Sequence, residues 1–265
     1  MRFTVFIILL ASLGLSACQS CNPPTNSNNS NRNASNGNAN ISIPERPGVL
    51  SPKDSVDPKF KSCNAYFPLA PGSRVKYTVN YSSGVVADAT VVVDRADAGG
   101  RMAFSEKTQI VDRSGGLQHQ SMAEKLYVCD GERVEIIAET STTRVPNSPV
   151  TKVDNTYRSP AVAILDPASL GRKGSTWSHS LSQTYQVPDQ PPIASKDVLQ
   201  INFTVIGPEQ IKVPIGTFNT VKIERKVKET KIYEYYARGI GLVKRLAGDG
   251  TTFELAEYSG LTPQE

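Results

Sequence analysis

Apolar and polar residues alternate along most of this chain. Ser73–Tyr81, SRVKYTVNY, puts Val75, Tyr77, Val79 and Tyr81 on one side of an extended backbone and Arg74, Lys76, Thr78 and Asn80 on the other. That is the period of a half-buried strand, because successive side chains of a strand point to opposite faces. Similar runs follow, each closed by a turn signal. Ser82-Ser83-Gly84 leads into VVADATVVVD, and Ala98-Gly99-Gly100 leads into MAFSEKTQIVD. Leu126–Cys129 meets Asp130-Gly131, a two-residue hairpin signal, before RVEIIAE. No stretch places apolar residues at helical spacing. Short strands with regular turns predict an all-β antiparallel meander that forms a curved sheet, an open barrel or a sandwich.

Residues 140–160 read as a proline-containing polar loop or seam, after which the pattern restarts with VLQINFTVIG, KVPIGTFNTVKIERKV, TKIYEYYAR, GIGLVKRL and TTFELAEYS. Gly72-Ser73 and Gly174-Ser175 each open an alternating run. This echo suggests a β-rich domain over 60–265 built of two similar halves, 60–141 and 160–260. Several runs, VVADATVVVD among them, carry apolar residues at both parities, so both sheet faces need cover. Either the halves pack on each other, or one face stays open to an apolar ligand.

The first sixty residues bear on location. Arg2 precedes an apolar run from Phe3 to Leu15, about 13 residues, the length of a signal-peptide core and short of a membrane span. It ends in Leu15-Ser16-Ala17-Cys18, which resembles the lipobox of bacterial lipoproteins. On that reading residues 1–17 are a signal peptide, and Cys18 carries the lipid, palmitate included, as the first mature residue. An ordinary secretory signal with a chance cysteine is the rival. Cys18 and Cys21 form a CxxC, but a polar tract follows where a reactive pair would need a helix N-terminus. Cys63, Cys129, His119 and His179 offer no second pair with metal-ligand spacing. Gln19, in place of the aspartate that commonly retains lipoproteins at the inner membrane, points to the outer membrane. Residues 18–59, rich in Asn, Ser and Pro, read as a disordered tether with a reach of roughly 35 Å. Export places Cys63 and Cys129 in an oxidising compartment, flanking one meander. A disulfide between them is predicted, with two separate buried thiols as the alternative.

"CNAYFPLAPGSRVKYTV", "KLYVCDGERVEI", "VPIGTFNTVKIE" and "YEYYARGIGLVKR" resemble the recurring motifs of the TapB-like bacterial lipoproteins, a DUF3108-like group of unknown function. The resemblance spans most of residues 63–258, with Val75 where the family has tryptophan and Ile215 where it has alanine. It implies a β-rich fold distantly like the curved half-barrels of the lipoprotein carriers LolA and LolB. It assigns no functional residue.

Signals for chemistry are sparse. No HExxH, GxSxG or complete dinucleotide-binding loop is present, and Gly239-Ile240-Gly241 reads as a turn. Asp94-Arg95-Ala96-Asp97 has part of a calcium-loop spacing without the later glutamate and also reads as a turn. His119 reads as a solvated strand-edge residue. Tyr77 with Tyr81, and Tyr233 with Tyr235, share faces that suit either core packing or a ligand. The basic stretch from Lys222 to Arg245 reads as a solvated strand face, with anionic lipid or polysaccharide as the functional alternative. Net charge is +4, too small to indicate nucleic acid. No metal or cofactor is implied. The expectation is therefore a non-enzymatic envelope lipoprotein, anchored to the membrane through Cys18, that binds an apolar ligand such as a lipid, or an envelope protein partner. Two alternatives stand beside it: an assembly subunit with no small ligand, and a hydrolase, which a pocket holding His119 or His179 beside a carboxylate would favour.

Overall fold

Alternating runs became strands, and nearly every strand pairs with its neighbours in sequence. A computed structural model describes residues 49–113, 120–145 and 148–264. Cys18, Cys21, His119 and the predicted signal peptide lie outside the described residues. The strands are β1 (Arg74–Asn80), β2 (Val86–Ala98), β3 (Arg101–Asp112), β4 (Gln120–Asp130), β5 (Arg133–Arg144), β6 (Thr151–Tyr157), β7 (Val162–Ile164), β8 (Thr176–Gln186), β9 (Ile193–Ala194), β10 (Leu199–Val213), β11 (Gly216–Val227), β12 (Thr230–Ala237), β13 (Gly241–Leu246) and β14 (Thr252–Ser259). One short helix, α1 (Pro167–Leu170), is capped by Asp166, whose carboxylate accepts from the Ser169 amide.

All pairings are antiparallel, β14 pairs with β1, and β8 pairs with β10. The sheet therefore closes on itself through β1–β6, β8 and β10–β14, a closed barrel of twelve strands. The open sheet and the face-to-face sandwich give way to this single closed sheet, which covers its own apolar face. Val75, Tyr77 and Val79 of β1 point inward, as do Leu199, Ile201, Phe203 and Val205 of β10. Lys222, Glu224, Lys244 and Glu254 point outward, joined in pairs such as Lys244–Glu254 at 2.7 Å. A lipid-facing barrel carries its apolar band outside; this one carries it inside.

Barrel width grows with strand number, and eight strands already fill with side chains. Twelve need more filling. Large inward residues and a plug supply it. Residues 60–72 precede β1 and lie over the barrel end where β1 begins. Asn64 is fully buried there: its Nδ2 donates to the carbonyls of Glu132 and Leu165 (2.8 Å each), and its Oδ1 accepts from the amides of Tyr66 and Phe67. A disulfide joins Cys63 to Cys129, with Cα atoms 6.2 Å apart. Phe67 then meets Tyr127 and Tyr236, ring centroids 5.2 and 6.3 Å away.

Three expectations need correction. The end of the presumed tether is docked on the barrel: the amides of Lys53 and Asp54 donate to Asp94, and Leu50 donates to Gln109. This also places Asp94 and Asp97 within β2 rather than in a turn, and accounts for the burial of Asp94 on an outward face. The stretch 140–160 is largely strand, because β5 runs to Arg144 and β6 follows. Inward positions of β6 include Asn155, so a polar residue hides the alternation.

The runs that open at Gly72 and Gly174 share more than a dipeptide. Gly72 and Gly174 have φ of +83° and +86°, a region open to glycine. The Gly72 amide donates to Val93 O and Val93 donates to Ser73 O; the Gly174 amide donates to Val205 O and Val205 donates to Ser175 O. Strands β1–β6 and β8, β10–β14 then follow in the same order around the barrel.

Candidate functional site

The inward face is not uniformly apolar. From Val93 the register runs to Glu106 on β3, Lys125 on β4, Glu139 on β5 and Asn155 on β6. From Val205, the matching position of the second half, it runs to Ile223 on β11, Glu234 on β12, Arg245 on β13 and Phe253 on β14. Each row is followed one step on by a bulge, at Leu126/Tyr127 against β5 and at Tyr235/Tyr236 against β13. The ion pair Lys125–Glu139 therefore occupies the place of Glu234–Arg245, with the signs exchanged.

All residues of these rows except Val205 and Ile223 line a cavity of about 170 Å³ inside the barrel. The Arg245 Nε donates to Glu234 at 2.9 Å, Arg225 Nη1 lies 3.7 Å from the same oxygen, and the Tyr236 hydroxyl donates to the other at 3.0 Å. Burial would raise the Glu234 carboxyl, but Arg225 and Arg245 outweigh it and hold it at about 2. Opposite, Glu139 Oε2 accepts from Asn155 at 2.8 Å and from the Tyr157 hydroxyl. Its Oε1 is buried, accepts no hydrogen bond, and has Lys125 Nζ at 3.9 Å. Burial pushes the Glu106 carboxyl up, against the pull of Lys125 and Arg245. Burial also pushes the Tyr127, Tyr157 and Tyr236 phenols well above their ordinary value, so each is a neutral donor. Gln183 donates to Asn155 at 3.1 Å and accepts from Tyr185.

His179 stands in the cavity wall, its Nδ1 3.0 Å from Val162 O and its ring edge-on to Tyr157. Burial pushes its pKa down, so it is neutral near pH 7. Glu139, a carboxylate of the same cavity, is engaged by Tyr157 and Asn155. Tyr77, Tyr81 and Tyr235 are buried in the core and Tyr233 packs against it, with Lys222 Nζ about 5 Å from the rings of Tyr233 and Tyr235. The basic stretch divides: Lys222, Lys226 and Lys231 face outward, whereas Arg225 and Arg245 face the cavity. Reading that stretch as one solvated face missed both. A signal was present, since Arg225 shares parity with Ile223 and Val227, and Glu234 with Ile232 and Tyr236. Among the described residues no group of His, Cys, Asp or Glu could hold a metal ion, and no helix is long and apolar enough to cross a membrane.

Fold and interior together define a closed antiparallel barrel with a polar cavity. The family model of DUF3108-like proteins matches residues 72–250, and the chain belongs to that family. The match begins at the Gly72 turn and covers both rows except Phe253. Among solved structures, a candidate lipoprotein from Parabacteroides distasonis is similar over 75% of this chain and 100% of its own, at 14% identity and a TM-score of 0.44. No curated protein matches.

Proposed function

We propose that this protein is a lipid-anchored component of the bacterial cell envelope, outer membrane included, whose barrel acts by binding a small molecule rather than by catalysis. The observation that carries the reading is the internal cavity walled by side chains of both halves. The lipobox-like segment ending at Cys18 supports the anchor, and a barrel with charged residues outside suits a domain held clear of the bilayer. Neutral Tyr157, bonded to Glu139, is a hydrogen-bond donor in the cavity wall rather than a nucleophile, which supports the binding reading.

The cavity also selects among ligands. At about 170 Å³ it is below the roughly 300–1,000 Å³ of pockets for drug-sized molecules, so a diacyl lipid does not fit. An apolar guest would leave the Glu139 oxygen and its neighbours without compensation. The apolar-ligand expectation therefore gives way to a small polar guest. Native mass spectrometry of the full-length protein extracted from its own membranes tests the function. A non-covalent adduct of a small molecule in one-to-one ratio is expected. Ligand-free protein from every extraction, with the barrel folded, would contradict it.

A further inference from the structure

The two walls of the cavity differ in sign. The first-half wall holds Glu106 and Glu139 around one cation, Lys125; the second-half wall holds Arg225 and Arg245 around one carboxylate, Glu234. Counting one charge each, the first wall carries −2 + 1 = −1 and the second +2 − 1 = +1. We propose that the cavity is a binding site for a small zwitterion, with its ammonium set against Glu139 and Glu106 and its oxyanion against Arg245 and Arg225. This inference rests on the binding function proposed above and names its ligand class.

Four observations support it beyond the charge count. Glu139, whose side chain is 1% exposed, has an oxygen that accepts no hydrogen bond and meets its cation only at 3.9 Å; an ammonium would supply the missing donors. Arg245 presents a planar guanidinium suited to paired contact with an oxyanion. A zwitterion brings both charges and no net charge, so it completes both walls without leaving a buried charge uncompensated. The volume matches: an engineered cavity of about 150 Å³ takes up a benzene-sized molecule. Burial raises the Glu106 carboxyl and an arriving ammonium would favour its ionised form, so the −1 counted for the first wall is the charge of the occupied cavity.

Two sources share this chemistry: a free α-amino acid, and a phosphoethanolamine of lipid-headgroup type. Calorimetric titration of the full-length protein in detergent separates them, using glycine, L-alanine, L-serine and the methyl diester of phosphoethanolamine, which like a lipid headgroup carries a single negative charge on its phosphate. Each is paired with versions that lack one charge: the amino-acid methyl esters, the N-acetyl amino acids and ethanolamine. Saturable one-to-one binding of one zwitterion is expected, at least tenfold tighter than either of its singly charged versions. Glu139→Gln, which keeps size and hydrogen bonding, should weaken that binding at least tenfold. Should the variant fail to fold, the wild-type comparison of zwitterion with its singly charged versions decides alone. Binding of the amino acids or of phosphoethanolamine supports the inference and identifies the source. No binding by any of these zwitterions, or equal binding of a singly charged version, overturns it. Should a different small molecule nevertheless co-purify in the mass-spectrometric experiment, the ligand class fails and the binding function stands; should nothing co-purify, the binding function itself fails.

Discussion

Glu234 and Arg245 face each other across β12 and β13 at 2.9 Å, inside the barrel and at the place where Lys125 and Glu139 face each other across β4 and β5. Glu234 has the tighter environment, because Arg225 shares it. A buried carboxylate between two guanidiniums offsets one of their two charges, and removing its charge leaves their mutual repulsion unopposed at that place.

Glu234→Gln should therefore destabilise the protein by about 3–5 kcal/mol, the range for breaking a buried ion pair from one side. Glu139→Gln should cost less, since its cation is 3.9 Å away and the Asn155 and Tyr157 bonds can persist on the amide oxygen. Urea unfolding of both variants checks the order. Equal losses would mean that the two pairs are energetically equivalent.

Stability should fall steeply in acid. The Glu234 carboxyl sits at about 2 in the fold against an ordinary 4.5. A depressed carboxyl gives its full stabilisation above the unfolded value and loses it as pH falls from about 4.5 towards 2, on the order of 3 kcal/mol in all. Glu106 works in the opposite sense. Its carboxyl is raised, so its ionisation opposes folding, and stability drops as pH rises through its folded value. Glu106→Gln should thus unfold at a higher temperature than wild type at pH 7, with the gap narrowing as pH is lowered. Thermal melts across pH 3–8 test both directions.

The matching glycines should not be equally tolerant. Both occupy positive φ, which costs a substituted alanine roughly 1–2 kcal/mol. At Gly174 an added Cβ meets nothing within 4 Å, whereas at Gly72 it would sit 2.5 Å from the backbone of Ser55 and Val56. Gly72→Ala should lose more stability than Gly174→Ala, and should release residues 49–57 to proteolysis. Comparable loss at both sites would show that the docked segment adds nothing.

The anchor is tested at its own residue. A Cys18→Ala protein should lose incorporation of labelled palmitate and should no longer partition with membranes. Labelling that persists in this variant would move the anchor elsewhere, Cys21 being the nearest candidate.

Much of the barrel was legible as alternation. β1 and β10 place apolar side chains at every second residue, and the β4–β5 hairpin was marked by its Asp130-Gly131 turn, where Gly131 has positive φ. The Gly-Ser echo was legible because a turn requires glycine wherever the same geometry recurs. Closure was not legible: the pairing of β8 with β10 and of β14 with β1 depends on shear and strand tilt, which a local pattern does not encode. The candidate site was hidden for a specific reason. Glu106, Lys125, Glu139, Arg225, Glu234 and Arg245 are residue types that ordinarily face water, so period-two reading assigns them outward. Parity with Ile223, Val227, Ile232 and Tyr236 was available for Arg225 and Glu234. For Arg245 the bulge beside Tyr235/Tyr236 shifts the parity, and only the register settles its direction.

The most direct test of the central claim is the electron density within the barrel in a high-resolution crystal structure of protein taken from its native membranes. A continuous non-water feature spanning from Glu139 to Arg245 is expected, with an ammonium-like end against the carboxylates and an oxyanion end against the guanidiniums. A cavity occupied by separate water peaks alone would contradict the account and leave the charged rows as an internal scaffold of the fold.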